Sequence, residues 1–170
     1  MLFDSHAHIN EASYSPEERA ELIKTIEASD VDYVADIGYD LASSKLAVEH
    51  AARYPWCYAV VGCHPHDAKS MDDMELAMYK GLARKKKVVA IGEIGLDFHY
   101  DHSPRDIQRE WFRRQIRMAN QLKMPIVIHS READQETMDI LKEEGAFSEE
   151  RKSWFPKRPD PRSEERRVGK

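Results

Sequence analysis

Residues 88–99 read VVAIGEIGLDFH, and this stretch decides the fold of the chain. An apolar run at 88–91 is followed by three residues with reactive side chains, Glu93, Asp97 and His99. A short continuous apolar run is typical of a strand that is buried on both faces, as in a parallel sheet. Because ligands bind at the carboxyl ends of such strands, the stretch predicts a buried strand that leads into a functional site.

Four further apolar runs lie along the chain, at 2–3, 31–37, 56–61 and 125–128. Amphipathic segments separate them and carry helix signals. Ser15-Pro16 and Ser103-Pro104 each predict the start of a helix, and Gly145 predicts the end of the last one. Five strand–helix units in sequence predict an α/β fold with a parallel sheet and outer helices.

The order of these units fits either a doubly wound sheet or a barrel. The first strand is not followed by G-x-G-x-x-G, which weakens a dinucleotide-binding interpretation. The chain has 170 residues, enough for one domain with its own core. A closed eight-stranded α/β barrel usually takes about 250 residues, so a complete barrel is not expected.

Composition excludes several classes of protein. The net charge of −5 argues against binding nucleic acid through a broad basic face, although not through metal ions. Two cysteines, Cys57 and Cys63, cannot form a disulfide framework. No apolar run approaches the roughly 20 residues of a membrane span, and the first residues do not resemble a signal peptide. We therefore expect a cytoplasmic protein without a membrane partner, and nothing indicates a specific protein partner.

The last part of the sequence differs from the rest. Three prolines fall within six residues, and residues 162–170, RSEERRVGK, resemble translated sequencing-adapter sequence. The sequence therefore predicts a domain over residues 1–147 and a disordered tail over residues 148–170 that is not native.

Histidine and carboxylate side chains follow the predicted strands. His6 and His8 are two apart in an extended segment, so their side chains point the same way. His129 directly follows the run at 125–128. Taken singly, each histidine has an ordinary alternative as a solvated or hydrogen-bonded residue, and Glu93 as a salt-bridge partner. Together, His6, His8, Glu93 and His129 predict a metal site.

A mixed nitrogen and oxygen ligand set suits Zn, Mn, Co or Ni, and also Mg when more ligands are oxygen. Two metal ions about 3.5–4 Å apart need a bridging carboxylate, and Glu93 is the candidate. Glu93 is therefore also the candidate catalytic residue, because such a site produces a nucleophile from water at neutral pH.

Three further residues are candidate substrate contacts. His64 and His66 flank Pro65 and could contact a phosphate or a base, or could be ordinary loop residues. Arg131 could bind a phosphate bidentately or pair with a neighbouring acid. Asp97 is either the partner of a ligand histidine or a loop cap.

Four motifs in order, FDSHAHIN, GCHPH, GEIGLDFHYD and PIVIHSREA, resemble those of the TatD family of metal-dependent deoxyribonucleases. The resemblance covers residues 2–145. It implies a TIM-like (β/α) barrel of the metal-dependent hydrolase superfamily and hydrolysis of DNA phosphodiester bonds with one or two divalent metal ions (Mg, Mn or Zn). It also implies His6, His8, Glu93 and His129 as the metal ligands.

The resemblance further implies three later strands, which carry another ligand histidine and an aspartate that acts as ligand and general base. No histidine follows His129 in this sequence. We therefore expect a barrel truncated to about five βα units and without DNase activity of its own.

Two other functions remain open. One is a different reaction of the amidohydrolase superfamily, on an ester, amide or phosphotriester, because H-x-H is shared across that superfamily. GCHPH and GEIGLDFH favour the nuclease. The other is a non-catalytic fragment that binds metal or only self-associates.

Overall fold

The five apolar runs all become strands, and the strands pair in the order of the sequence. The computed structural model of the protein describes residues 1–155. All four neighbouring pairs are parallel, which confirms the expected α/β sheet. The strands are β1 (Leu2–Ala7), β2 (Val31–Ile37), β3 (Cys57–Val61), β4 (Val88–Asp97) and β5 (Ile126–Arg131).

Helices follow every strand. They are α1 (Pro16–Glu27), α2 (Leu41–Arg53), α3 (Asp73–Ala83), α4 (Arg105–Leu122), α5 (Asp134–Glu143) and α6 (Glu149–Ser153), with a 3₁₀ helix at Pro65–Ser70. Ser15 caps α1 as expected: its hydroxyl accepts the amide of Glu18, and the Glu18 carboxylate accepts the amide of Ser15. Within residues 1–155, every helix is too short or too polar to cross a membrane.

The two faces of the sheet differ. The main core packs helices against one face and includes Ile91 of β4 and Phe112 and Ile116 of α4. The other face carries a smaller apolar cluster. Phe3 and Tyr33 lie beside this cluster, and their side chains are 52% and 39% exposed. In a closed barrel this second face lies inside.

The expectation of a disordered tail from residue 148 is wrong for its first residues. Ser148 caps α6 by accepting the amide of Arg151. The Arg151 side chain is buried and donates to the carbonyl of Met124 and the side chain of Asn120, which fixes α6 against the end of α4 and the loop before β5. Residues 156–170, which include the adapter-like ending, lie outside the described residues.

Candidate metal centre

The carboxyl ends of β1, β4 and β5 meet around one carboxylate. His6 lies in β1, His8 directly follows it, and His129 lies in β5. Glu93 lies inside β4 rather than beyond it, because β4 continues past the apolar run to Asp97. In a flat sheet, β1 and β4 would be separated by three strand spacings, or about 14 Å. The contact of His6 with Glu93 therefore indicates that the sheet curls.

Each oxygen of Glu93 faces different histidines. Oε2 lies 3.5 Å from Nε2 of His6 and 3.9 Å from Nε2 of His8. Oε1 lies 3.2 Å from Nδ1 of His129. The residue is 8% exposed, so a carboxylate here needs partners of opposite charge or hydrogen-bond donors. In this arrangement, one carboxylate could serve as a ligand in two neighbouring metal sites.

Hydrogen bonds fix which nitrogen of the His8 and His129 rings can bind a metal. Nδ1 of His8 lies 2.8 Å from the carbonyl of Ile37, which can only accept, so Nδ1 donates and Nε2 keeps its lone pair. Nε2 of His129 donates to Asp97 Oδ2 at 3.0 Å and leaves Nδ1 facing Glu93. A ligand histidine whose other nitrogen donates to a carbonyl or carboxylate is the usual arrangement in metal sites.

Asp97 has both of the roles that its sequence position allowed: it is the partner of a ligand histidine and it caps a loop. Oδ2 accepts from His129 and from Nε2 of His66 at 2.9 Å. Oδ1 accepts the amides of His99 and Tyr100, so it also caps the loop after β4. Burial raises the pKa of this carboxyl, but the Tyr100 amide and the two histidines hold it well below its usual range. Asp97 therefore remains ionised and orients the two rings.

Ionisation of Glu93 and His129 is coupled. Burial raises the pKa of Glu93, but the hydrogen bond from His129 and the charges of the neighbouring rings outweigh it and lower the pKa. Burial lowers the pKa of His129, but its bonds to Glu93 and Asp97 raise it overall. Without metal, His129 thus holds its proton more tightly than a free imidazole does, and its contacts with Glu93 and Asp97 hold the cluster together.

His64 is a hydrogen-bond donor by its geometry. Its Nδ1 accepts the amide of His66 at 3.1 Å, so the proton of the neutral ring lies on Nε2. Burial, together with the His129 ring 4.2 Å away, lowers the pKa of His64 to about 3, and the ring is neutral at pH 7. A neutral ring with Nε2–H can donate to an anion.

Among residues 1–155, two groups of side chains each have ligand atoms close enough together to hold an ion. They are His6, His8 and Glu93, and His64, Glu93 and His129, in each of which the atoms lie within 4.8 Å of one another. Metal–ligand bonds of about 2.0–2.3 Å allow two ligands of one ion to lie about 4 Å apart. The first group therefore fits a divalent metal. In the second group, Glu93 and His129 fit and His64 has the wrong tautomer.

Of the predicted substrate contacts, the structure brings His64 and His66 to the ligand cluster. Arg131 lies at its rim, with its guanidinium 5.0 Å from the centre of the Tyr100 ring. The alternative of a local salt bridge is not observed within residues 1–155, because Glu132 pairs with His99 and Asp134 accepts from Ser130.

Sequence reasoning missed Tyr39, which lines the same pocket as His8, His64 and Glu93. Its ring lies 5.8 Å from that of His8, and its hydroxyl accepts the amide of Ala12. Tyr39 lies just after β2. The rule that functional residues follow the carboxyl ends of parallel strands, which predicted the histidines, therefore also predicts Tyr39.

Known proteins match most of this chain. The sequence profile of a family described as TatD related DNase matches residues 3–152. The uncharacterized metal-dependent hydrolase YabD of Bacillus subtilis is 45% identical over 146 residues, which are 86% of this chain and 57% of that protein. The 3'-5' ssDNA/RNA exonuclease TatD of Cronobacter turicensis is 35% identical over 82% of this chain and 53% of its own length.

Solved structures agree with the fold. The crystal structure of YJJV, a TatD homolog from Escherichia coli K12, matches with a TM-score of 0.75 and 27% identity over 84% of this chain and 56% of that one. A TatD family hydrolase from Entamoeba histolytica matches with a TM-score of 0.76, at 22% identity, over 85% of this chain and 55% of that one. The five-stranded sheet therefore corresponds to part of a TIM-like barrel, and the chain spans about half the length of these relatives.

Proposed function

The chain belongs to the family of TatD-related DNases, and from that membership we propose that it contributes to divalent-metal-dependent hydrolysis of phosphodiester bonds in DNA. The observation that carries the proposal is the position of Glu93, whose two oxygens face His6 and His8 on one side and His129 on the other. Nuclease sites with two metal ions need a bridging carboxylate of this kind.

His6, His8, Glu93 and His129 would hold the metal, and the preset tautomers of His8 and His129 support this assignment. A bound Mg, Mn or Zn ion supplies Lewis acidity at the scissile phosphate and a nucleophile at neutral pH. Glu93, as the shared ligand, is the residue on which catalysis depends most.

The neighbouring residues would bind the phosphodiester. His64 donates through Nε2–H to a phosphate oxygen. Because the ring is neutral and its Nδ1 accepts a hydrogen bond, its one proton lies on Nε2. Arg131 is free of carboxylate partners among residues 1–155 and suits a bidentate contact with a phosphate. His66 is held by Asp97 and faces the same pocket, so it is placed for a weaker contact.

Asp97→Asn should weaken Mn²⁺ binding by about 10–100-fold, as the loss of an outer-shell partner usually does. The amide oxygen would take the contacts with the His99 and Tyr100 amides, and the amide nitrogen would face His129 Nε2. That nitrogen donates, so the proton of His129 moves to Nδ1 and blocks the ligand position. Calorimetric titration with Mn²⁺ measures the effect. Asp106→Asn, on the exposed start of α4, is the control, and equal affinities for the two variants would contradict the role of Asp97.

The proposed function is tested with labelled single- and double-stranded DNA in the presence of Mg²⁺, Mn²⁺ or Zn²⁺. We expect negligible cleavage by this chain and metal-dependent cleavage, lost on chelation, by a protein extended by the three strands that the family resemblance implies. The resemblance implies that the aspartate expected to accept a proton lies on those strands. An extended protein that cannot cleave DNA with any of these metals would contradict the proposed function.

A further inference from the structure

Three planar groups stack on the loop after β4. The rings of Tyr100 and His102 are parallel within 5°, with centroids 5.5 Å apart. The guanidinium of Arg131, at the end of β5, lies 5.0 Å from the centre of the Tyr100 ring. We refer to Tyr100, His102 and Arg131 as the stacked cluster.

The loop that carries the stacked cluster is fixed from several sides. The amide of Tyr100 donates to Asp97 at 2.9 Å, and Lys69 Nζ donates to the carbonyl of His102 at 2.8 Å. Arg105 binds both Asp101 and the carbonyl of Phe98. The rings are therefore already in place for a ligand that stacks here, and little conformational entropy of the loop is lost on binding.

The stacked cluster remains open to solvent. Tyr100 is 49% exposed, and His102 and Arg131 are also exposed. Within residues 1–155, Arg131 has no carboxylate at ion-pair distance: Glu132 pairs with His99, and Asp134 accepts a hydrogen bond from Ser130. The surface thus offers aromatic faces beside an available positive charge, which is a combination that binds bases and phosphates.

The stacked cluster adjoins the metal ligands. The ring of His66 lies 5.6 Å from Tyr100 and 4.6 Å from His102. His66 shares the carboxylate of Asp97 with His129, which in turn contacts Glu93. A nucleotide whose phosphate lies at Glu93 would place a neighbouring base beside the stacked cluster.

We propose that Tyr100, His102 and Arg131 form a stacking surface for a base of single-stranded nucleic acid, next to the phosphate that is cleaved. This inference rests on the proposed function and adds a base contact to it. A base within a duplex is already stacked on its neighbours, so the surface favours single strands or frayed ends. Stacking is tolerant of sequence, because every base has a π face.

The test measures binding of a fluorescein-labelled single-stranded DNA of about 10 nucleotides by anisotropy in the presence of Mn²⁺, because this chain is expected to cleave DNA negligibly. A matched oligonucleotide with abasic sites keeps the phosphates and removes the bases. Tyr100→Leu should weaken binding of the base-bearing strand by about 5–150-fold, the equivalent of 1–3 kcal/mol of stacking. Binding of the abasic strand should stay unchanged, and Tyr100→Phe should restore most of the affinity.

Tyr33→Leu is the matched control, because Tyr33 is a partly exposed tyrosine that pairs with Tyr58 on the other face of the sheet. In addition, 5-iodouracil in the strand should crosslink to Tyr100 or His102 on irradiation. Equal effects of Tyr100→Leu on both strands, no effect on either, or no binding by the unchanged chain would overturn the proposal. The proposed function is judged separately, by metal titration of this chain and by cleavage of bis(p-nitrophenyl) phosphate, which has no base, by the extended protein.

Discussion

Glu93→Gln should weaken Mn²⁺ binding by more than about 100-fold, because even the loss of an outer-shell partner costs 10–100-fold. The amide keeps the shape of the side chain but removes the charge that faces His6, His8 and His129. In an active protein that contains this site, hydrolysis should fall by about 1000-fold or more, the equivalent of about 4 kcal/mol.

Thermal or chemical unfolding separates this effect from a loss of folding. Metal at 100 times its dissociation constant should stabilise the unchanged chain by about 2.7 kcal/mol, and at the same concentration it should stabilise Glu93→Gln by about 0.4 kcal/mol. Glu21→Gln is the control, since Glu21 is exposed on α1 and, in the described part of the chain, pairs only with Lys24. Equal metal stabilisation of the unchanged chain and of Glu93→Gln would contradict the role of Glu93.

Gly95→Ala should destabilise the chain by about 3–5 kcal/mol. Gly95 lies in β4 opposite His129 and has φ +153°. A Cβ atom there would lie 1.8 Å from the carbonyl oxygen of His129, which belongs to the backbone and cannot move without displacing β5. The substitution should also weaken metal binding, because it displaces His129.

Gly81→Ala is the opposite case and serves as the control in urea unfolding. Gly81 lies within α3, and an added Cβ meets no atom within 4 Å. Alanine is the better helix former, so this variant should be more stable by roughly 0.5–1 kcal/mol. A Gly95→Ala chain as stable as the unchanged protein would show that the approach of β4 and β5 around His129 is looser than described.

Patterns of apolar residues were sufficient to predict the five strands, their parallel arrangement and the cluster of His6, His8, Glu93 and His129. These follow from local composition and from the rule that strand ends share one edge. The exact end of β4 was beyond the sequence, because Gly92, Glu93 and Gly95 do not resemble a strand. Ile94 to Asp97 are held there by pairing with β5, which resumes after an irregularity at Gly92 and Glu93.

Side-chain partners were also beyond the sequence. Arg131 stands next to Glu132 and close to Asp134, so a salt bridge was a reasonable alternative. In the folded loop, however, Glu132 pairs with His99 and Asp134 accepts a hydrogen bond from Ser130. The short helix α6 was missed because its stability depends on Arg151 reaching Asn120 and Met124, about thirty positions earlier in the chain. Such long-range contacts leave no local signal.

The most direct test of the metal assignment is an anomalous difference map from crystals of the chain grown or soaked with Mn²⁺. We expect a peak at bonding distance, about 2.0–2.3 Å, from Glu93 Oε2 and from Nε2 of His6 and His8. With a second ion bound, another peak should lie beside Glu93 Oε1 and His129 Nδ1. A map at saturating Mn²⁺ without a peak in contact with Glu93 would contradict the assignment.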